Sequence, residues 1–198
     1  MKSTRFGVYV FCLFAVTGCS GFARPPEFKG AVYAAPGRPP DFTLPSTRGG
    51  DFTLSDQEDV VTLIFFGYTF CPDVCPQTLG LVRTALNRLD DAERSRIELV
   101  FVSVDPARDN LAILEGYLAR FDPSFLGVRP DPEQLEKLIG DYDAYVEPEP
   151  QDPESAGYEV SHTSVIYVVD KSGNLRLGFF SGMSPEEIAH DLRILIDE

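Results

Sequence analysis

Val60-Val61-Thr62-Leu63-Ile64-Phe65-Phe66-Gly67-Tyr68-Thr69-Phe70-Cys71-Pro72-Asp73-Val74-Cys75-Pro76 is the stretch on which the fold turns. Its first seven residues are an unbroken β-branched and aromatic run, the pattern of a strand buried on both faces. Its last six place two cysteines four positions apart, directly ahead of a helical pattern. Leu79, Val82, Leu86 and Leu89 recur at intervals of three and four, with Arg83 and Arg88 on the other side, so a helix is expected from about Pro76 to Leu89. Pro76 lacks an N–H and would clash deep inside a helix, so the helix must begin close to Cys75. The sulfurs then sit at a helix N-terminus, where the dipole favours the thiolate form that attacks disulfides and binds metals.

Downstream, Ile97 to Val104 reads as a second buried strand, Leu111 to Phe121 as a helix, and Phe125 to Val128 as a short strand. Asp131 caps a helix with Pro132 at its first position, running to Ile139 and stopping at Gly140. The acidic, proline-bearing stretch Glu147 to Gly157 is expected to be a loop. Val165-Ile166-Tyr167-Val168-Val169 and Leu175 to Phe180 read as a hairpin across Asp170-Lys171-Ser172-Gly173, and Ser184-Pro185-Glu186-Glu187 opens a last helix with a capping box. Upstream, Asp41-Phe42-Thr43-Leu44 recurs as Asp51-Phe52-Thr53-Leu54 around a turn-forming Pro45-Ser46-Thr47-Arg48-Gly49-Gly50, which predicts a small β-hairpin. Strand, helix, strand, helix, hairpin and final helix is the order of an α/β thioredoxin-like fold. Its central mixed β-sheet would be flanked by helices, with the hairpin as an N-terminal addition.

The N-terminus reads as a targeting segment at residues 1–18: basic Lys2 and Arg5, an apolar run from Phe6 to Val16, then Val16-Thr17-Gly18-Cys19. The run is shorter than the roughly 20 residues that span a bilayer. Its end resembles the lipobox of bacterial lipoproteins, which implies cleavage before Cys19 and acylation of its sulfur; the plainer alternative is an ordinary signal peptide. Residues 19–40, rich in Pro, Gly and Ala, are expected to be a flexible tether, and 41–198 to be one domain. Net charge is −14, and losing Lys2 and Arg5 with the signal would make it −16. That balance argues against nucleic-acid binding, which needs a basic face.

Of four cysteines, Cys12 leaves with the signal and Cys19 would be lipidated, so Cys71 and Cys75 are the thiols of the working protein. Two thiols outside the cytoplasm point to a redox pair or a metal site. On a regular helix, residues four apart have Cβ atoms about 5–6 Å apart, wider than the roughly 3.5–4.5 Å of a disulfide, and two metal–sulfur bonds bridge that gap more readily. Of the two histidines, His190 lies within the last helix and reads as surface. His162 sits at the edge of the loop leading into a central strand and is the one candidate for a third ligand, although a lone histidine there is more often structural. Soft thiolates with an imidazole suit copper, Cu(I) in particular, and also zinc.

Phe66-Gly67-Tyr68-Thr69-Phe70-Cys71-Pro72-Asp73-Val74-Cys75-Pro76, then Phe101-Val102-Ser103-Val104-Asp105-Pro106-Ala107-Arg108-Asp109, then a histidine before Val165-Ile166-Tyr167-Val168-Val169-Asp170, resemble the Sco/SenC family over nearly the whole domain. The resemblance implies a membrane-tethered, thioredoxin-fold copper protein that helps assemble the copper A centre of cytochrome c oxidase. It implies Cys71, Cys75 and His162 as the ligands of copper, as Cu(I) or Cu(II), and the copper A-bearing subunit of the oxidase as partner. The location implied is the periplasmic side, with a lipid anchor at Cys19 in the inner rather than the outer membrane. Asp73 would shape the loop or assist docking. The family often has Asp where this chain has Ser161, which removes a carboxylate from beside the histidine. Three activities are open on these residues: a copper metallochaperone, a thiol–disulfide reductase using the same pair, and, more remotely, a peroxidase.

Overall fold

The computed structural model describes residues 27–148 and 158–198. The targeting segment, Cys19 and the acidic stretch 149–157 lie outside the described residues. In chain order the elements are β1 (Ala31–Gly37), β2 (Thr43–Pro45), β3 (Asp51–Thr53), β4 (Val61–Gly67), α1 (Val74–Leu86), α2 (Asp91–Arg94), β5 (Ile97–Ser103), α3 (Leu111–Leu118), β6 (Leu126–Val128), α4 (Pro132–Asp141), β7 (Val146–Pro148), β8 (Val160–His162), β9 (Ile166–Val169), β10 (Leu175–Phe179) and α5 (Pro185–Asp197).

The central sheet runs β1-β10-β9-β4-β5-β6. β4 pairs in parallel with β5, and β5 with β6, whereas β4–β9, β9–β10 and β10–β1 are antiparallel, so the sheet is mixed as the element order predicts. Every residue of β4 is buried, which is why it reads as a continuous apolar run. Phe65 packs edge-on to Phe101 on one face, at 5.8 Å between ring centroids; Phe66 meets Tyr142 and Tyr167 on the other, at 5.6 and 5.8 Å. Helices α1 and α5 pack together, and α3 packs on β6. The repeated tetrapeptide forms the β2–β3 hairpin with Leu44 opposite Phe52. Its turn covers the β6 edge, Thr47 donating its N–H to the Gly127 carbonyl at 2.9 Å.

The caps follow their sequence signals. Asp131 with Gln134 and Ser184 with Glu187 form complete capping boxes with Pro at the helix start. Helix α4 passes through Gly140 to Asp141, one residue beyond the expected stop.

Three expectations are corrected. The tether assigned to residues 19–40 contains β1, an edge strand whose Ala31 and Val32 pair with Gly178 and Leu177; its composition hid it, and Pro36 is tolerated because the strand lies at a sheet edge. The loop expected from Glu147 begins with a strand instead: Val146, Glu147 and Pro148 pair with His162, Ser161 and Val160. Helix α1 starts at Val74, two residues ahead of Pro76, whose missing N–H would have been unsatisfied in the first turn in any case.

Candidate metal centre

The site is assembled at the end of β4. Cys71 lies in the loop after the strand, Cys75 is the second residue of α1, and His162 is the last residue of β8. The two sulfurs and one imidazole nitrogen all lie within 4.8 Å of one another, the one such three-ligand group among the described residues. His190 is on the surface, its Nδ1 3.0 Å from Asp191, and is not one of the three converging donors. Cys71 is half-buried and Cys75 fully buried, and both are free thiols.

Because Cys71 precedes the helix, the regular helical spacing does not describe the pair. The loop folds back so that the Cys75 N–H donates to Cys71 Sγ at 3.4 Å. The helical spacing therefore does not set the separation of the sulfurs, and the preference for metal over disulfide rests on His162 rather than on the four-residue spacing.

The two thiols divide their roles. Hydrogen bonds from the Cys75 thiol and from the backbone N–H groups of Cys75 and Asp73 stabilise the Cys71 thiolate against burial and push its pKa down to about 3. The thiolate beside it, together with burial, pushes the Cys75 thiol strongly up, so Cys75 keeps the proton that the pair shares.

His162 is oriented on both sides. Its Nδ1 lies 3.0 Å from the Thr163 carbonyl oxygen; a carbonyl can only accept, so Nδ1 carries the hydrogen. Nε2 is left with its lone pair directed at Cys75 Sγ, 3.3 Å away. A backbone carbonyl holding the far nitrogen of a ligating imidazole is the arrangement that fixes a metal-binding tautomer. The ring sits between Phe65 and Tyr68, with centroids 6.1 and 5.7 Å away. The donor set of two sulfurs and one imidazole is soft, and it fits Cu(I) or zinc rather than magnesium or calcium.

Behind the three candidate donors lies a polar scaffold that spacing alone does not reveal. Asp109 accepts from the Thr69 hydroxyl at 2.6 Å, the Ser103 hydroxyl at 2.7 Å and, more weakly, the Thr69 N–H, clamping the loop that carries Cys71 onto the end of β5. Burial pushes its carboxyl pKa up against the pull of these donors. Tyr68 Oη accepts the Val160 N–H at 3.1 Å, which ties β8, and so His162, to the cysteine motif. Tyr158 donates to Asp105 at 2.6 Å, Arg108 pairs with the same carboxylate, and its guanidinium stacks on the Tyr158 ring at 3.7 Å. Charged residues inside the otherwise apolar run from Phe101 to Asp109 were the available signal. Asp73 is exposed; it precedes α1 without a side-chain cap and accepts from Gln77. Phe70, just before Cys71, and Val74, just before Cys75, stand exposed, 57% and 38% accessible.

The SCO1/SenC family model matches residues 34–197. The "SCO2-like protein" of Rickettsia felis is 30% identical over 155 residues, covering 73% of this chain and 75% of the relative. Among solved structures, Bradyrhizobium japonicum ScoI with copper bound is 34% identical, with a TM-score of 0.72 and coverage of 80% of this chain and 99% of that one. Apo Sco1 from Thermus thermophilus is 35% identical, with a TM-score of 0.73 and coverage of 85% and 97%. A motif whose sulfurs and imidazole converge in this fold, and a family match that spans the described domain, lead to one conclusion: the chain belongs to the SCO1/SenC family.

Proposed function

We propose that this protein binds one copper ion through Cys71, Cys75 and His162 and delivers it to the copper A-bearing subunit of cytochrome c oxidase. The observation that carries the proposal is the convergence of three soft donors, with the His162 proton fixed on Nδ1, in a chain similar to a protein solved with copper bound. Copper here is cargo. An edge-accessible Cys71 is the ligand an incoming acceptor thiolate can displace first, whereas Cys75 and His162 hold from within. The protein would act on the periplasmic side, held by a lipid on Cys19 in the inner membrane. Titrating Cu(I) into wild type and His162→Ala in competition with a chelator tests the reading. One ion per chain and an affinity loss of tenfold or more, about 1.4 kcal/mol, are expected on removing the imidazole. An unchanged affinity contradicts it.

A second reading has its own observation in the asymmetry of the two thiols. An accessible, low-pKa Cys71 beside a buried, protonated Cys75 is the arrangement of a dithiol reductant. Cys71 would attack a disulfide of the oxidase copper site, forming a mixed disulfide and releasing one thiolate. Cys75, giving up its proton, would then displace the second, leaving a reduced target and an oxidised Cys71–Cys75 pair. Accumulation of that mixed disulfide in Cys75→Ser supports this role. Its absence when copper transfer proceeds normally rules it out.

A further inference from the structure

The place where the chain enters the domain is fixed with unusual care. Asp191 on α5 has no exposed surface, and its carboxylate accepts the Lys29 N–H at 2.9 and 3.0 Å and the Gly30 N–H at 2.8 Å. Gly30 lies so close to β10 that a Cβ there would stand 2.9 Å from the Phe179 ring and 3.1 Å from the Gly178 carbonyl. The register then relates this entry point to the metal centre. Phe179 pairs with Ile166, and Ile166 with Phe65, two residues from the end of β4 at Gly67. Gly30 and the start of β1 therefore stand at the end of the sheet that carries Cys71 and Cys75, displaced sideways by three strand spacings, about 14 Å. Ahead of Gly30 the chain bends back, so that the Phe28 ring lies 5.8 Å from the Arg176 guanidinium.

Beside that entry point is an uncharged surface. Ala31, Val32, Tyr33, Val165, Gly178 and Phe180 line a shallow cavity of ≈ 220 Å³, and Val32 and Phe180 are 58% and 46% exposed. Cys19 is eight residues ahead of Glu27, and eight residues reach at most about 28 Å when fully extended. A lipid on Cys19 would keep this patch within reach of the bilayer.

We propose that the Val32–Phe180 patch is a membrane-docking surface, and that it rests on the lipid to which the chain is tethered with the Cys71–Cys75–His162 end of the sheet turned towards the bilayer. This rests on the lipid-anchor reading of Cys19. The patch contributes apolar contact, and Asp191 is the positioning residue that holds Lys29 and Gly30, and so the start of β1, beside it. The metal centre is thereby presented to acceptors whose own site lies close to the membrane surface.

The test uses the chain from Cys19 onward, which holds every described residue, with Cys71→Ser and Cys75→Ser so that Cys19 can be coupled to a maleimide lipid in phosphatidylcholine vesicles. A dye is placed through a non-natural residue at position 77, near the metal centre, or at position 58, at the opposite end of β4. Energy transfer to rhodamine-labelled lipid is then measured. β4 alone spans about 23 Å, so transfer from position 77 is expected to exceed that from position 58 about twofold or more. Val32→Asp with Phe180→Asp, both at exposed positions, is expected to bring the ratio to about one, because charge at the patch opposes lipid contact. A ratio at or below one in the parent, or a ratio untouched by the two aspartates, overturns the proposal. The anchor reading is judged separately, by vesicle flotation of the natively expressed full chain beside Cys19→Ser. Equal flotation of the two refutes the anchor and leaves the orientation result to stand on its own.

Discussion

Cys71 and Cys75 are chemically unlike although they share one loop. With its pKa pushed down to about 3, Cys71 is a thiolate throughout the range from pH 5 to 8, whereas Cys75 is pushed up and remains a thiol there. In the reduced, metal-free protein, iodoacetamide at pH 6 should therefore alkylate Cys71 and spare Cys75 until the chain is unfolded, as read by peptide mass spectrometry. Equal labelling would show that the proton is not divided as described. Gly67 matters in a different way. A Cβ there would lie 2.8 Å from Cys75 Sγ and 2.8 Å from the Phe101 ring, both buried. Gly67→Ala is expected to cost about 1–3 kcal/mol in urea denaturation and to weaken copper binding, because the sulfur has no room to retreat. These neighbours were only partly legible in the sequence. The Cys-Pro-Asp-Val-Cys-Pro run names its own chemistry, and His162 was singled out because only two histidines were available. The proton on its Nδ1 depends on the Thr163 carbonyl, which no residue type records.

At the scale of elements, the centre depends on joints between segments far apart in the chain. Asp109 joins the loop after β4 to the end of β5 across 40 residues, and Tyr68 joins that loop to β8 across 92. Asp109→Ala would leave the Ser103 and Thr69 hydroxyls without their acceptor. A loss of about 2–3 kcal/mol in stability is expected, with Cys71 losing its fixed position. Circular dichroism melts and copper affinity measured together check this, and an unaffected site in a destabilised fold would show that Asp109 serves packing alone. Long-range joints of this kind leave only faint marks in a sequence. Asp109 reads as one more polar residue at the end of a strand, and β7, three residues long and ending in Pro148, has no periodicity to detect. The helices and the buried strands were legible because their apolar spacing and caps are local properties. The helix carrying Cys75 begins two residues ahead of Pro76, which marks the first turn without saying which of its positions it occupies.

For the whole molecule, the main revision concerns the N-terminal boundary. Proline, glycine and alanine between residues 21 and 40 suggested a tether, yet Ala31–Gly37 becomes a strand because β10 offers it an unpaired edge and Asp191 holds its start. Tertiary pairing overrides weak local propensity here. A chain begun at residue 41 should therefore melt lower and aggregate more than one begun at residue 27, because β10 would be left as a bare edge. Equal melting temperatures would return β1 to the status of a tether.

The central claim is that two sulfurs and one imidazole nitrogen hold a single copper ion, and X-ray absorption at the copper edge of the Cu(I)-loaded protein tests it most directly. The predicted spectrum fits two sulfur scatterers at about 2.3 Å, the distance typical of metal–thiolate bonds, with one imidazole nitrogen. In His162→Ala the nitrogen contribution should vanish and the sulfurs remain. A wild-type spectrum without the imidazole, or with a single sulfur, would contradict the assignment.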